Sequence, residues 1–526
     1  MIYVVGSGPS GVAAATGLLA RGLEVTLLDT GRTLEKDKAA LLQSLQSLPR
    51  DQWPETTVNV LKGRMDSSRH GVPNKLIYGS GFAYRNLEEV DDFPSNMILK
   101  VSSAQGGLSN VWGAALLPFH SADIQDWPFP ASDLIPHYQA VFDLLPYSAC
   151  KDSLVSLLPL YSEKFSCLQP SRQAQQLLNH LSLGRARLND QGVWFGRSRL
   201  AVRAETVNQK PGCVYCGLCL TGCPYKLIYT ATETLEFLKR NPLFHYELGV
   251  RVTTVQEHER SVQVEGTREE GDERVVFRGD RVFLACGAYS TTQILLRSSQ
   301  ALNEDIFLKT CQYFILPFIT YSGVRGIREE ALHTLCQLFL IVADPAVSPH
   351  LVHLQGYTYC ELFSQTVLNY LGPFGNWFRG HLDWLLGRLV VFQGFLHSNH
   401  SPQIRMRLTP GGPGSHVQLM PIFKPETKQV LNRLGRKLGG LRKSLGGWPI
   451  NSLLSVGKVG DGSHIGGSFP MRYQPGKFES DRWGRPFGFK RVHAVDSSVL
   501  PSIPSTTLTL SVMANAHRIA TEFQDD

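Results

Sequence analysis

Features that would identify whole classes of protein are absent from this sequence of 526 residues. No window combines the basic and aromatic residues of a nucleic-acid binder, and the net charge of +7 is small, so we expect no nucleic-acid partner. No uninterrupted apolar run approaches the roughly 20 residues that a membrane-spanning helix needs. The nearest run, 377–396, is broken by charged residues and predicts a core or lid helix; contact with a membrane surface or a partner is the alternative.

Cysteine is also scarce, because ten residues are too few for a disulfide scaffold in a chain of this length. Four of them fall within the run CVYCGLCLTGCP at 213–224, and the other six are scattered. This distribution favours a metal site plus buried thiols in a reducing compartment. The first predicted strand begins at Ile2, which leaves no room for a signal peptide. We therefore expect a cytoplasmic protein.

The sequence opens with a pattern typical of dinucleotide binding. A short apolar strand, Ile2 to Val5, is followed by G-x-G-x-x-G at Gly6, Gly8 and Gly11 and then by a predicted helix. In this pattern the glycines allow a tight turn, close approach of the backbone to a pyrophosphate and close packing of the helix on its strand. The pyrophosphate is then expected at the helix N-terminus, where free N–H groups favour anions.

The second predicted strand, EVTLLD, ends in Asp29, where a carboxylate can accept hydrogen bonds from ribose hydroxyls. An acidic residue at this point argues against a 2′-phosphate. The front of the chain therefore predicts a site for FAD or NAD rather than NADP, without choosing between the first two.

The cysteine run has the spacing C-x₂-C-x₂-C-x₃-C-P of bacterial ferredoxins. Structural zinc sites more often use two C-x₂-C pairs separated by a dozen or more residues, so zinc is the weaker alternative. The spacing predicts an iron–sulfur cluster. The four predicted thiolate ligands are Cys213, Cys216, Cys219 and Cys223.

Motifs in the second half of the chain resemble those of the glucose–methanol–choline (GMC) oxidoreductase family. The two C-terminal ones are DGSHIGGSFPM (461–471) and HAVDSSVLPSIPSTTLTLSVMANAHRIA (493–520). Others that recur in family order are GGLSNVWG (106–113), DWPFPASDLIPHY (126–138) and RVFLACGAYSTTQILL (281–296). The resemblance implies an FAD enzyme that oxidises alcohols. It is weakest between about 300 and 455, where the family places its variable substrate domain.

The resemblance also assigns site residues. Besides the glycine turn and Asp29, it implies cofactor contacts at Gly106, Gly107, Ser109, Asn110, Val252, Gly287 and Asp496. Some relatives carry a flavin-bonded histidine within the GGLSNVWG segment; Asn110 and Val111 stand there in this chain, so we expect a dissociable, non-covalent FAD. The helix predicted from about Thr507, capped by Thr506 or Thr507, should direct its N-terminus at the flavin.

His464 occupies the family's position for the catalytic base. Oxidation of an alcohol by hydride transfer requires the hydroxyl proton to leave, and a neutral imidazole can accept it. A second histidine or asparagine is usual near the last helix, but Thr507 stands at that position. Thr507 can hydrogen-bond a substrate oxygen but cannot act as a second base.

A branch of the family, similar to the catalytic subunit of bacterial FAD-linked glucose dehydrogenase, carries a [3Fe–4S] cluster on C-x₅-C-x₃-C. Cys213, Cys219 and Cys223 reproduce that spacing, and Cys216 is additional. The cluster is therefore expected to be [3Fe–4S] or [4Fe–4S]. A distant fourth ligand could come from the scattered cysteines Cys150, Cys167, Cys286, Cys311, Cys336 and Cys360.

Together these patterns predict a dehydrogenase of a sugar or other alcohol whose electrons leave singly through the cluster. The acceptor is expected to be a one-electron acceptor protein or a small partner subunit, with which the chain could alternatively be exported to the periplasm. An oxidase with a structural cluster and a non-catalytic electron carrier are the two alternatives.

The predicted fold is α/β: a Rossmann-like FAD domain of GMC type with a second, mostly antiparallel α+β substrate domain. The FAD domain is predicted to be discontinuous, from 1–120, 205–300 and 455–526, and the cap from 121–204 and 301–454. Apolar segments at 312–323, 337–344, 350–363 and 416–424 should form strands of one sheet over the flavin. A basic amphipathic helix is expected at 424–443, either as a solvated face or as a docking site for an acidic partner or an anionic substrate such as a sugar nucleotide.

Overall fold

The computed structural model describes residues 1–63, 75–87, 90, 93–207, 211–361, 379–410 and 416–524. Its α-helices are α1 (Pro9–Ala20), α2 (Lys36–Gln46), α3 (Glu55–Lys62), α4 (Ile135–Phe142), α5 (Arg172–Leu183), α6 (Arg185–Asp190), α7 (Ala231–Leu238), α8 (Ala288–Ser298), α9 (Arg379–Leu386), α10 (Glu426–Gly440), α11 (Arg442–Leu445) and α12 (Thr509–Glu522).

The strands are β1 (Ile2–Val5), β2 (Val25–Asp29), β3 (Val193–Arg197), β4 (Phe244–Leu248), β5 (Val250–Glu257), β6 (Val262–Arg268), β7 (Arg274–Gly279), β8 (Arg281–Leu284), β9 (Asp305–Thr310), β10 (Tyr313–Thr320), β11 (Leu338–Val342), β12 (Val352–Tyr357), β13 (Leu389–Phe395), β14 (Gln403–Thr409), β15 (His416–Ile422), β16 (Gly447–Pro449), β17 (Ser455–Val456), β18 (Ile465–Gly466) and β19 (Val492–Ala494).

A parallel sheet in the order β19-β8-β1-β2-β4 forms the base of the molecule. Every residue of β1 and β8 is buried, as expected for central parallel strands with both faces covered. Helix α1 connects β1 to β2 and packs against α12, so the two ends of the chain meet on one face of this sheet. Beside it, β5, β6 and β7 form a small antiparallel sheet. The predicted α/β class is confirmed.

The second large sheet is antiparallel, in the order β16-β10-β13-β12-β11-β3, with β17 also paired to β10. Three of the four segments predicted to lie in one sheet, now β10, β11 and β12, do so. The fourth, at 416–424, does not: β15 belongs to a separate four-stranded sheet in the order β15-β14-β9-β18. Strand β3 pairs with β11 and so joins the two segments assigned to the cap, although the domain boundaries stay a prediction.

Two helix predictions need correction. The run 377–396 is not one helix: α9 ends at Leu386 and β13 begins at Leu389, while 377 and 378 lie outside the described residues. The β-branched and aromatic residues of LVVFQGF favour a strand after the turn at Gly387. The helix predicted over 424–443 is confirmed in type but shorter, since α10 spans Glu426–Gly440. In the described part of the chain, no helix is both long and apolar enough to cross a membrane.

Candidate active site

The glycine turn after β1 has the geometry that dinucleotide binding requires. Gly6 has φ of +98°, and a Cβ on Gly11 would lie 1.9 Å from the Gly6 carbonyl oxygen, so the helix passes very close to the turn. Gly8 is the residue before α1, and a Cβ there would meet no atom within 4 Å. The open space at Gly8 is a cradle in front of the helix N-terminus, which fits the pyrophosphate of a dinucleotide.

Asp29 ends β2 as predicted and is 6% exposed. Its carboxylate accepts hydrogen bonds from the Ser7 hydroxyl and from the Tyr246 hydroxyl, the latter at 3.0 Å. Burial raises the pKa of Asp29 to about 6, and these hydrogen bonds limit the rise. The side chain is therefore mainly ionised at neutral pH and stands at the rim of the cavity, where it can accept from a ribose.

The segment 106–110 packs directly against the glycine turn. The Gly106 N–H donates to the Ser7 hydroxyl at 2.9 Å, and a Cβ on Gly107 would lie 3.2 Å from Gly8 Cα. The Ser109 hydroxyl donates to the Gly106 carbonyl at 2.6 Å. The Asn110 amide donates to backbone carbonyls, including that of Gly107 at 2.8 Å, so it shapes the loop.

One cavity of about 490 Å³ unites most of the predicted site residues. Those that line it are Gly6, Gly8, Asp29, Gly107, Ser109, Val252, Gly287, His464, Asp496 and Thr507. Gly11, Gly106 and Asn110 do not line it and instead support the backbone beneath. Asp496 is 3% exposed and accepts from the Thr291 hydroxyl at 2.5 Å; burial raises its pKa. The groups that line this cavity fit FAD.

His464 lies beside β18, with its ring stacked on Phe395 at a centroid distance of 4.7 Å. Its Nδ1 is shielded from solvent and has no hydrogen-bond partner in the described part of the chain. Burial lowers the pKa of His464 to about 4. The imidazole is therefore neutral at pH 7 and can accept a proton, and Nε2 is the ring nitrogen left to meet a substrate.

Thr507 does not cap the last helix as predicted. Helix α12 begins at Thr509, with Leu508 as the residue before it and no capping side chain. The Thr507 hydroxyl instead accepts from the Leu117 N–H at 2.7 Å, which fixes the loop before α12 to the segment after GGLSNVWG. Thr507 lines the cavity as a residue, while its hydroxyl is engaged with the Leu117 backbone.

Sequence reasoning missed the residues that the antiparallel sheet contributes to the cavity. Gln355 of β12 and Gln393 of β13 are direct cross-strand partners, and Tyr313, Tyr357 and Phe395 line the same space. A signal was present, since glutamine interrupts an apolar strand twice, each time before glycine and an aromatic residue (QGY and QGF). Their cross-strand pairing was not deducible from either segment alone.

Two further charged or polar groups near His464 were also missed. Lys100 donates to the Asp461 carbonyl at 3.3 Å, and its Nζ lies 3.8 Å from the Asp461 carboxylate, three residues before His464. His353 is fully buried. Burial, followed by the charge of His464, lowers the pKa of His353 to about 3. The surroundings of His464 therefore keep both imidazoles neutral.

The cysteine run lies next to the cavity. The half-buried Lys75, which lines the cavity, donates to the Trp112 carbonyl at 2.9 Å and interacts electrostatically with Cys219 and Cys223. Burial raises the pKa of Cys213 and of Cys223 to about 12, and nearby thiols of the run add to both rises. No three His, Cys, Asp or Glu side chains converge closely enough to hold a metal ion in the described ranges, which include the whole run. Ligation by these four thiols stays a prediction.

The expectation that the scattered cysteines are all free thiols is wrong for two of them. Cys150 and Cys167 form a disulfide with a Cα–Cα distance of 5.6 Å, which removes both as candidate distant ligands. The two segments meet because Ser148 pairs with both Ser166 and Leu200, a contact that sequence spacing does not reveal. Cys286, Cys311, Cys336 and Cys360 are not in disulfides.

Comparison with known proteins finds likenesses that span the whole chain, although no family model matches it. The 6'''-hydroxyparomomycin C oxidase of Streptomyces lividus is 24% identical over 561 residues, which cover 98% of this chain and 90% of that protein. The crystal structure of pyridoxine 4-oxidase from Mesorbium loti superposes with a TM-score of 0.60 at 13% identity, covering 99% of this chain and 98% of that one. The structural likeness shows a shared fold over the whole chain.

Proposed function

We propose that this chain, which belongs to the glucose–methanol–choline oxidoreductase family, is an FAD-dependent dehydrogenase of a sugar or another small alcohol. Oxidoreduction at a CH–OH group is the activity of the family. The observation that carries the proposal is that His464, a neutral imidazole with a shielded Nδ1, lines the same cavity as the dinucleotide turn at Gly6–Gly8. The choice of dehydrogenase and of a sugar goes further and rests on the arguments below.

Different residues would bind the cofactor and accept the proton. The turn at Gly6–Gly8 and the N-terminus of α1 would hold the cofactor's phosphates, and Asp29 its ribose. When bound, FAD would supply the acceptor for the hydride that leaves the carbinol carbon, which is one hydrogen nucleus with the two electrons of the C–H bond. His464 accepts the hydroxyl proton, so that the C–O single bond becomes a carbonyl without passing through a protonated product.

A polyhydroxylated substrate is supported by the paired amides in the sheet above the cavity. Gln355 and Gln393 each carry donors and an acceptor, the combination that pairs with sugar hydroxyls. Gln393→Leu should therefore raise KM for a sugar substrate by about tenfold, the cost of one to two lost hydrogen bonds, while flavin content stays unchanged.

The dehydrogenase assignment and the iron–sulfur cluster are supported by the ferredoxin-like spacing and by the position of Cys219 and Cys223 close to Lys75. An oxidase is the second candidate, because both similar proteins are named as oxidases. The two are separated by iron and sulfide analysis of anaerobically purified protein, with peroxide formation measured against reduction of a one-electron dye. Absence of iron together with stoichiometric peroxide would establish the oxidase.

The central test is flavin reduction under anaerobic conditions with a panel of sugars and alcohols. We expect one class of alcohol to bleach the flavin of the wild-type protein, and His464→Gln to slow that step by about 10²–10⁴ with unchanged flavin content. Cys219→Ser serves as the matched variant: the substrate should reduce its flavin at the wild-type rate, yet the variant should lose turnover with the dye. If the flavin of His464→Gln is reduced as fast as that of the wild type, the assignment of His464 as the base is wrong.

A further inference from the structure

A second cavity, separate from the flavin site, lies along helix α10. It has a volume of about 900 Å³, within the range typical of small-molecule sites. One wall is the helix itself, and Asn451 and Val456 also line the cavity. Glycine at 435 lets the Asn451 side chain lie against the helix, since a Cβ there would come within 3.0 Å of the Asn451 side-chain oxygen. The Asn451 amide donates to the Gly435 carbonyl at 3.1 Å, which fixes this side of the cleft.

The charged residues of this cleft all have one sign. Lys424, Lys428 and Arg436 line it, and every other lining residue is uncharged. These three residues and Asn432 are spaced four positions apart along the chain. Those that lie on α10, from Lys428 to Arg436, therefore form one row along the helix. Lys424 is anchored, because its ammonium donates to the Ser398 and Asn399 carbonyls at 3.2 Å each. The nearest carboxylate along the chain, Glu426, is exposed and outside the lining.

The remaining lining residues are mostly apolar. Leu431 is buried and forms part of the floor, while Phe423 and Val456 are 61% and 50% exposed at the rim. A cleft with an apolar floor and a row of cations fits a compact organic anion, because the cations bind the charged groups while the floor covers the carbon skeleton.

We propose that this cleft binds a small organic anion that carries phosphate or carboxylate groups. The site is independent of the alcohol-oxidising reaction. A single layer separates the two cavities: Gln312 lines the cleft while Tyr313 lines the flavin cavity, and Gly457 of the cleft packs on Tyr313. Neither Lys428 nor Arg436 belongs to the flavin site, so both can be replaced without altering it.

The experiment measures binding of inorganic pyrophosphate and of citrate to the FAD-loaded protein by titration calorimetry at low ionic strength. Flavin absorbance recorded alongside checks that neither anion displaces FAD. We expect saturable binding at one site. In Lys428→Gln/Arg436→Gln the Kd should rise by at least about tenfold, as expected for two lost charge-assisted hydrogen bonds. The pyrophosphate and citrate arms show which anionic group the site prefers.

The matched control is Arg433→Gln/Lys443→Gln, which removes the same charge from neighbouring positions that do not line the cleft. Its Kd should stay within about threefold of the wild type, because neither side chain lines the cleft and a charge that makes no direct contact with the anion acts weakly through water. Absence of saturable binding, or an equal loss in both double variants, overturns the proposal. Binding of poly-glutamate without binding of either small anion also overturns it and would make the cleft a docking site for an acidic protein.

Discussion

The environment of His464 determines the pH range in which the proposed proton transfer can occur. Burial lowers its pKa to about 4, whereas an unperturbed histidine titrates near 6.5. A base acts only while it is unprotonated, so kcat/KM should stay level from neutral pH down to about 5 and fall only near pH 4. The pH dependence of anaerobic flavin reduction measures this. An acid limb with an apparent pKa near 6.5 would show instead that His464 is solvated.

Asp29 permits a test of cofactor binding at the same scale. Asp29→Ala removes the acceptor for the ribose and leaves the Ser7 and Tyr246 hydroxyls without their partner. The Kd for FAD, measured by flavin fluorescence, should rise by about 10- to 100-fold. Asp29→Asn keeps the shape of the side chain and one acceptor oxygen, so it should lose less affinity for FAD. Unchanged affinity in Asp29→Ala would place the ribose elsewhere.

Single residues were predictable from sequence where a local motif determines their surroundings. Gly6, Gly8 and Asp29 lie within one strand–turn–helix–strand unit, and the cavity contains all three. His464 was identified by a motif with a chemical rationale, and the structure adds its stacking on Phe395. That contact joins segments about seventy residues apart, so only the tertiary structure reveals it.

At the scale of elements, two glycines of the β1–α1 unit allow the requirements of folding to be tested separately from those of ligand binding. In Gly11→Ala the new methyl group would lie 1.9 Å from the Gly6 carbonyl oxygen, so the helix must move off its strand. In Gly8→Ala it meets nothing within 4 Å, and φ of −63° suits alanine. The space it enters is the one proposed for the pyrophosphate.

We therefore expect Gly8→Ala to fold with near wild-type stability but to bind FAD weakly. Gly11→Ala should lower the free energy of unfolding by several kcal/mol, since overpacking against backbone cannot relax through a rotamer change. Urea denaturation of the FAD-free proteins and FAD titration measure the two effects. Tight FAD binding by Gly8→Ala would contradict the placement of the pyrophosphate.

The sequence predicted some helices and strands and missed others, whereas the single site residues were predicted more consistently. Short strands such as β10, β11 and β12 were found because apolar runs with β-branched residues favour strands. The run 377–396 was misread because its charged residues and leucines suit a helix only as far as Leu386. The start of α12 was placed two residues early, since no side chain caps it.

At the scale of the molecule, the cavity draws on distant parts of the chain. The parallel sheet supplies the turn after β1, and the antiparallel sheet supplies Gln355 and Gln393. Which strands of that sheet are neighbours depends on long-range pairing, such as β3 with β11, and no local pattern encodes it. The same limitation explains the missed disulfide between Cys150 and Cys167.

Buried histidines give the whole molecule a predictable response to acid. In five of them burial is the main cause of a pKa lowered to between about 2 and 4: His333, His353, His397, His464 and His517. Unfolding exposes each ring and returns its pKa to near 6.5, so between pH 6.5 and 5 the unfolded chain binds more protons than the folded one. Stability therefore falls as pH falls. Asp29, whose pKa is raised to about 6, opposes this, as do the other carboxyls whose pKa burial raises, Asp152, Asp461 and Asp496.

The free energy of unfolding should accordingly drop between pH 7 and pH 5 by about 1–2 kcal/mol for each of these histidines. Urea denaturation at a series of pH values measures the drop. His333→Gln removes one group that is 2% exposed and does not line the flavin cavity. The stability of this variant should therefore change less steeply with pH, even if its stability at pH 7 is lower. His258→Asn, at an exposed position, should leave the slope unchanged. A wild-type stability that is level from pH 7 to 5 would mean that water reaches these rings in the folded protein, and the lowered pKa assigned to His464 would then be wrong as well.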